Sequence, residues 1–223
     1  EAFEKLWHKA SVEYPFTKMK NIGWQDLYNR IAPRVAAAQS SSNRQTWYMA
    51  MRDFTMSISD GHVGLIGDDG GIFQSETRGG SGLVLTELSD GRVLVSFIAT
   101  GSAAETAGIE LGAEIITVNG QPVKEAAAAV TEWTGPFSTQ HVRRLEQYRY
   151  LTRGKVGSTI QLKWRNPQDV ERQASVKLRP EHASLTASSL FVDCDRDAPP
   201  VEYEILKDSG LGYLRIWSLA DDL

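Results

Sequence analysis

An imidazole beside a carboxylate is the sharpest chemical pairing in the chain, in Asp60-Gly61-His62. An imidazole changes charge near neutral pH, so His62 can act as general base toward a serine hydroxyl. Asp60 has two readings. It orients the ring, or it caps the turn with Gly61 and the tripeptide is simply a structural connection. A second chemistry-bearing segment is Gly80-Ser81-Gly82-Leu83, continued by Val84 and Leu85. Small residues at 80 and 82 let a carboxylate approach backbone N–H groups, which form an anion-binding concavity. Other candidate patterns carry less. Asp193, Asp195 and Asp197 alternate as in a calcium loop, but the glycine and closing glutamate of an EF-hand are missing, so they read as a solvated linker. Gly67 to Gly71 has no lysine and no expected following helix, so it is no phosphate-binding loop. His8 and His182 stand in no pattern.

The elements that position these residues follow from periodicity. Phe3, Leu6, Trp7 and Ala10 make one helical stripe, closed by Pro15. Trp24, Leu27, Tyr28, Ile31 and Val35 make a second, which Pro33 should kink or break. Ser42 and Gln45 form a capping box for a third, with Trp47, Met51, Phe54 and Ile58 on one face. Trp7, Trp24 and Trp47 read as core. The period then changes. His62 to Ile66 reads as a short strand before a turn. Leu83–Leu88 and Val93–Ala99 read as strands around the turn Ser89-Asp90-Gly91. Ser102 caps a short helix that Gly108 ends. Ile115–Val118 is a strand run, and Asn119-Gly120 is a strong hairpin signal. A helical stretch, Lys124 to Trp133, precedes a helix capped by Ser138 with Val142, Leu145 and Tyr148 inward. Ser158–Trp164 and Ala174–Leu178 alternate as strands. A Pro- and Asp-rich linker runs from about Ala183 to Pro200. Val201–Leu206 then reads as a half-buried strand and Leu211–Trp217 as a more continuously apolar one.

Composition narrows the function classes. The chain has 223 residues, 41% hydrophobic and 23% charged, typical of one or two globular domains. A formal charge of −4 and a pI near 5.6, without a basic cluster, argue against nucleic acid as partner. No stretch approaches the length of a membrane span. The single cysteine, Cys194, has no internal disulfide partner. The start at Glu1 rather than Met suggests that a leader or tag has been removed.

Residues 80–120 resemble a PDZ domain. Gly80-Ser81-Gly82-Leu83 sits at the family's carboxylate-binding loop. Ser102-Ala103-Ala104 and Ala107-Gly108 sit at its Ser-Pro-Ala and Ala-Gly positions, and Gly112 to Gly120 matches its Gly-Asp-x-Ile-x-x-Val-Asn-Gly. Ser81, Ala103 and Ala113 depart from that pattern. The flanks widen the resemblance. An aromatic-rich helical prelude, Asp60-Gly61-His62-Val63-Gly64-Leu65 before the PDZ stretch and Gly212-Tyr213-Leu214-Arg215-Ile216 after it are similar to the front of a family S41 serine peptidase, the tail-specific and tricorn-like proteases.

The resemblance implies an α+β chain. A helical region over 1–66 ends in the Asp-Gly-His segment. A PDZ-like, partly open β-barrel with helices spans 72–180, a linker 181–200, and the first strands of a truncated protease core 201–223. It implies substrate recognition for a serine endopeptidase: Gly80, Ser81, Gly82, Leu83, Val84, Leu85 and His141 would bind polypeptide C-termini. Some PDZ domains read a substrate hydroxyl with a histidine at the start of the groove helix; the other reading of His141 is a plain surface residue. His62 is catalytic only if the parent is tricorn-like. No serine or lysine here matches the family's nucleophile or base, so the fragment is expected to be inactive alone. No cofactor or metal is implied. Exposed core strands would allow oligomers, and the compartment implied is the cell envelope, the periplasm or the exterior. The alternative is a stand-alone, non-catalytic PDZ adaptor.

Overall fold

The computed structural model describes residues 1–67, 71–168, 171–189, 201–207 and 209–216. Asp193, Cys194, Asp195, Asp197 and Trp217 lie outside them. The chain forms two compact units, Glu1–Leu185 and Thr186–Leu223.

Three helices open the first unit: α1 (Ala2–Glu13), α2 (Trp24–Ser40) and α3 (Arg44–Met56). Their stripes meet in one core of Phe3, Leu27, Ile31, Val35, Ala50, Met51, Phe54 and Ile58. Phe3 meets Phe54 edge-on at 5.4 Å, and Trp7 lies 4.7 Å from Tyr28. Each fully buried large apolar side chain contributes roughly 1.5–3 kcal/mol. That explains why α2 runs through Pro33. The ring costs about 3 kcal/mol, but Leu27 and Ile31 before it and Val35 and Ala38 after it are all buried. Three local expectations are corrected. The cap of α3 is Asn43, whose side chain accepts from the Thr46 N–H, not Ser42. Trp47 is exposed rather than core. Residues 62–66 form no strand; they leave the bundle as irregular chain, with Val63 and Leu65 packed against its core.

The second part of this unit begins with a short helix, α4 (Ile72–Thr77), so a helix does follow Gly71, though no lysine accompanies it. Strand β1 (Gly79–Gly80) leads to β2 (Leu83–Glu87) and β3 (Val93–Ile98). Helix α5 (Ala103–Thr106), β4 (Glu114–Val118), β5 (Gln121–Pro122) and α6 (Val123–Ala128) follow. Helix α6 is shorter than the periodicity suggests. Then come α7 (Gln140–Leu151), β6 (Arg153–Gly154), β7 (Thr159–Arg165), β8 (Glu171–Lys177), β9 (Arg179–Pro180) and α8 (Ala183–Ala187).

The main sheet has the order β2-β3-β4-β7-β8, with β5 beside β4. Its two ends, β2 and β8, do not pair, so this is an open PDZ-like sheet rather than a closed barrel. The core beneath it includes Leu83, Leu85, Val93, Val95, Ile115, Leu162, Trp164 and, from α7, Tyr148 and Leu151. Asn119-Gly120 makes the expected tight turn, with φ of 50° and 79°. The Asn119 side chain also accepts from the Gln161 N–H at 2.8 Å, tying the turn to β7.

The second unit holds an antiparallel hairpin, β10 (Val201–Leu206) and β11 (Leu211–Ile216), in unbroken register from Val201↔Ile216 to Leu206↔Leu211. The alternation of Val201, Tyr203 and Ile205 suggests a half-buried strand, yet all three are exposed, as are Leu211, Tyr213, Leu214 and Ile216. A two-stranded ribbon has no layer against which to bury a face. The α+β class is therefore as expected: a helical bundle, a PDZ-like sheet region and additional strands.

Candidate functional site

The loop Gly80–Leu83 enters β2, an end strand of the sheet. Helix α7 packs beside β2. The direction of each loop amide follows from peptide planarity, because the C=O and the next N–H of a trans unit point oppositely. The Gly82 carbonyl accepts from the Ala99 N–H at 2.8 Å, so the Leu83 N–H points away from β3. The Ser81 carbonyl accepts from the Ala104 N–H at 2.9 Å, so the Gly82 N–H points away from α5. The Ser81 N–H is already used: it donates to the Thr152 carbonyl, just past α7, at 3.2 Å. The Gly82 and Leu83 N–H groups are thus turned away from α5 and β3, on residues that are themselves buried.

Glycine is demanded at 82 by both space and conformation. Its φ is +91°, and a Cβ there would lie 2.2 Å from the Ser102 Cβ. Gly80 is hemmed in differently: a Cβ would come within 2.6 Å of Glu181 Oε2 and 2.8 Å of an Arg153 guanidinium nitrogen. Ser81 is fully buried, and its hydroxyl meets no hydrogen-bond partner among the described residues. That is the physical counterpart of an apolar residue being usual in this place.

Behind the loop, Arg153 is an anchored cation. It pairs with Glu181 at 2.9 Å, donates to the Thr77 carbonyl at 3.0 Å and reaches the Ser184 hydroxyl at 3.0 Å. Burial works against the Glu181 charge, but the Ser184 hydroxyl and N–H, and then Arg153, outweigh it and hold that carboxyl below its ordinary range. At its far end β2 is bridged to α6 and α7. The Tyr148 hydroxyl donates to Glu87, the last residue of β2, at 3.0 Å, and Lys124 and Arg144 also pair with Glu87. Burial, reinforced by Glu87, pushes the Tyr148 phenol well above its ordinary value. His141 lies nearly a turn before Arg144 on α7, farther from the loop, and is exposed.

The Asp60–His62 turn is built on the helical bundle. Asp60 is buried and accepts the Tyr14 hydroxyl on one oxygen. Its other oxygen accepts the His62 backbone N–H at 3.0 Å and lies 3.1 Å from His62 Nδ1. Asp60 thus caps the turn and contacts the ring. The bond from Tyr14, then the two from His62, lower the Asp60 carboxyl to about 2. Burial, then Asp60, raises the Tyr14 phenol to about 12. The His62 side chain is 97% exposed. Its hydrogen-bond partner among the described residues is Asp60, not a serine or lysine. Ser138 does not cap α7; Thr139 does, and Ser138 instead accepts the Gly61 N–H at 2.9 Å across the unit.

The PDZ domain family matches residues 72–132. No curated protein sequence matches the chain. Mature CPAF complexed with lactacystin superimposes with a TM-score of 0.57 at 18% identity, over 79% of this chain and 33% of that one. Mature CPAF alone gives 0.53 at 19% identity with the same coverage. A photosystem II D1 C-terminal processing protease covers 91% of this chain and 45% of its own, with 18% identity and a TM-score of 0.34, too low to carry an argument. The chain spans about a third of the length of the CPAF structures. It contains a PDZ domain and, across four fifths of its length, is similar in fold to CPAF.

Proposed function

We propose that this chain is the substrate-recognition part of a serine endopeptidase of the S41 kind, holding polypeptide C-termini for proteolysis. The observation that carries the reading is the β2 edge that pairs with no other strand among the described residues, beside α7, entered through a glycine loop whose Gly82 and Leu83 N–H groups turn away from α5 and β3. A peptide adding to that edge gains main-chain hydrogen bonds, and its terminal carboxylate meets the Gly82 and Leu83 N–H groups. Val84 and Leu85 continue the edge. Gly80 and Ser81 shape the loop, and His141, beyond the Glu87 bridge, contributes little. Because the Ser81 N–H is already engaged, affinity should be modest, on the order of micromolar or weaker, about −8 kcal/mol or less favourable.

In the same reading the helical region 1–66 presents His62, the PDZ region 72–180 captures substrate, and the strands within 201–223 open the catalytic core. The attacking serine is assigned to a segment other than those described. His62, poised by Asp60, would take its proton in a Ser–His enzyme. The compartment that suits such an enzyme is the cell envelope, the periplasm or the exterior.

Amide exchange followed by NMR tests the groove. A peptide with a free C-terminus should slow exchange of the Leu83 amide at least tenfold. Unchanged exchange there, with protection elsewhere, would place the peptide on another surface. In the intact enzyme, His62→Ala should lower kcat sharply if the reaction uses Ser–His; an unchanged kcat would assign His62 to structure alone.

A further inference from the structure

The strongest unassigned feature is a cleft of about 510 Å³ where α2 and α3 face the α6–α7 connection and the first turns of α7. Arg30 and Arg34 of α2, Asp53 of α3, and Glu132 with Arg143 line it. Arg34 pairs with Asp53 at 2.8 Å, and Arg143 pairs with Glu132. The pairing is incomplete. The same Asp53 carboxylate is shared with Arg52 at 3.2 Å. Arg52 is buried over the Trp133 ring, 5.3 Å from its centroid, with two guanidinium nitrogens that have no hydrogen-bond partner among the described residues. Arg30 has no carboxylate within ion-pair distance among the described residues; it donates to the Ser57 hydroxyl at 2.6 Å. Asp26, one helical turn earlier, lies over Gly23; it shares a neighbouring cavity with Arg30 but makes no ion pair with it. Three guanidinium groups and two carboxylates thus line the cavity, and the buried Arg52 draws on the same Asp53, so the cluster holds more cations than carboxylates.

Guanidinium forks bind oxyanions bidentately, more strongly than neutral donors do. Arg143 also lies near the N-terminal end of α7, where the helix dipole favours negative charge. We propose that this cleft is a binding site for a small oxyanion, a phosphate or a di- or tricarboxylate. Arg30 is its principal contact, and Arg34 and Arg143 close around the ligand. The bound anion supplies the charge that Asp53 and Glu132 leave unmatched, and it joins the helical bundle to the helix that walls the peptide groove.

Isothermal titration of the 223-residue chain with inorganic phosphate and, separately, with citrate, at constant ionic strength, tests the site without any peptide. Saturable one-to-one binding is expected for at least one of them, and which one binds names the class of ligand. Arg30→Gln should weaken it at least tenfold, with the thermal midpoint of the unliganded protein unchanged because Arg30 is exposed. Lys177→Gln, on β8 outside the cleft, should leave it unaltered. Absence of saturable binding to both anions would overturn the proposal, as would equal weakening by the two substitutions.

Discussion

At Asp60 one carboxylate takes the Tyr14 hydroxyl, the His62 backbone N–H and the His62 ring. Its folded pKa is depressed from 3.8 to about 2. The stability this gives is therefore fully present above the unfolded value and is lost as pH falls from about 4 to about 2. Tyr14 works in the other direction: its phenol is raised from 10.0 to about 12, so its share is complete below pH 10 and fades as pH rises toward 12. Urea unfolding across these windows should show both slopes. Tyr14→Phe should flatten the acid-side loss; an acid profile identical to the parent's would mean that the hydroxyl does not hold the carboxylate. Gly82 permits a second forecast at this scale. Its φ of +91° and the 2.2 Å approach to Ser102 mean that Gly82→Ala should cost about 2–4 kcal/mol in urea unfolding. It follows that placing a charge at 82 is no clean probe of carboxylate binding, because the loop fails before the ligand is tested.

Among the elements, α7 has the most varied duties. Its Tyr148 and Leu151 enter the core, Thr152 beyond its end holds the loop, and Tyr148 bridges to β2. Tyr148→Phe keeps the ring buried but strips Glu87 of one charge-assisted bond. A loss of about 1–2 kcal/mol in the free energy of urea unfolding is expected, and no loss would mean that Lys124 and Arg144 already satisfy Glu87. Elements set by local chemistry were legible in the sequence. The Asn119-Gly120 turn, the Ser102 cap and the α1–α3 stripes, apart from the exposed Leu6 and Trp47, are examples, because each depends on neighbours within a turn or two. What depended on distant partners was not legible. Ser138 reads as a cap, but its oxygen is claimed by Gly61, 77 residues away. Pro33 reads as a break, but burial on both sides of it carries α2 through. The run from His62 to Ile66 has strand-like residues and no strand to pair with.

Across the whole molecule, the glycine loop and the Asp60–His62 turn were visible as motifs, whereas the state of the loop was not. Nothing in Gly80-Ser81-Gly82-Leu83 announces that the Ser81 amide is spent on Thr152, and the arginine cleft gathers residues from positions 30 to 143 that no motif connects. The exposed apolar hairpin β10–β11 is consistent with strands that belong to a larger sheet, as the peptidase reading proposes, and that reading depends first on whether the groove captures chain ends. The most direct measurement is fluorescence anisotropy of labelled peptides of one sequence, with a free C-terminal carboxylate and with the terminus amidated. The account predicts saturable binding of the acid, micromolar or weaker, and at least tenfold weaker binding of the amide, roughly 1.4 kcal/mol or more. Equal binding of acid and amide would contradict it.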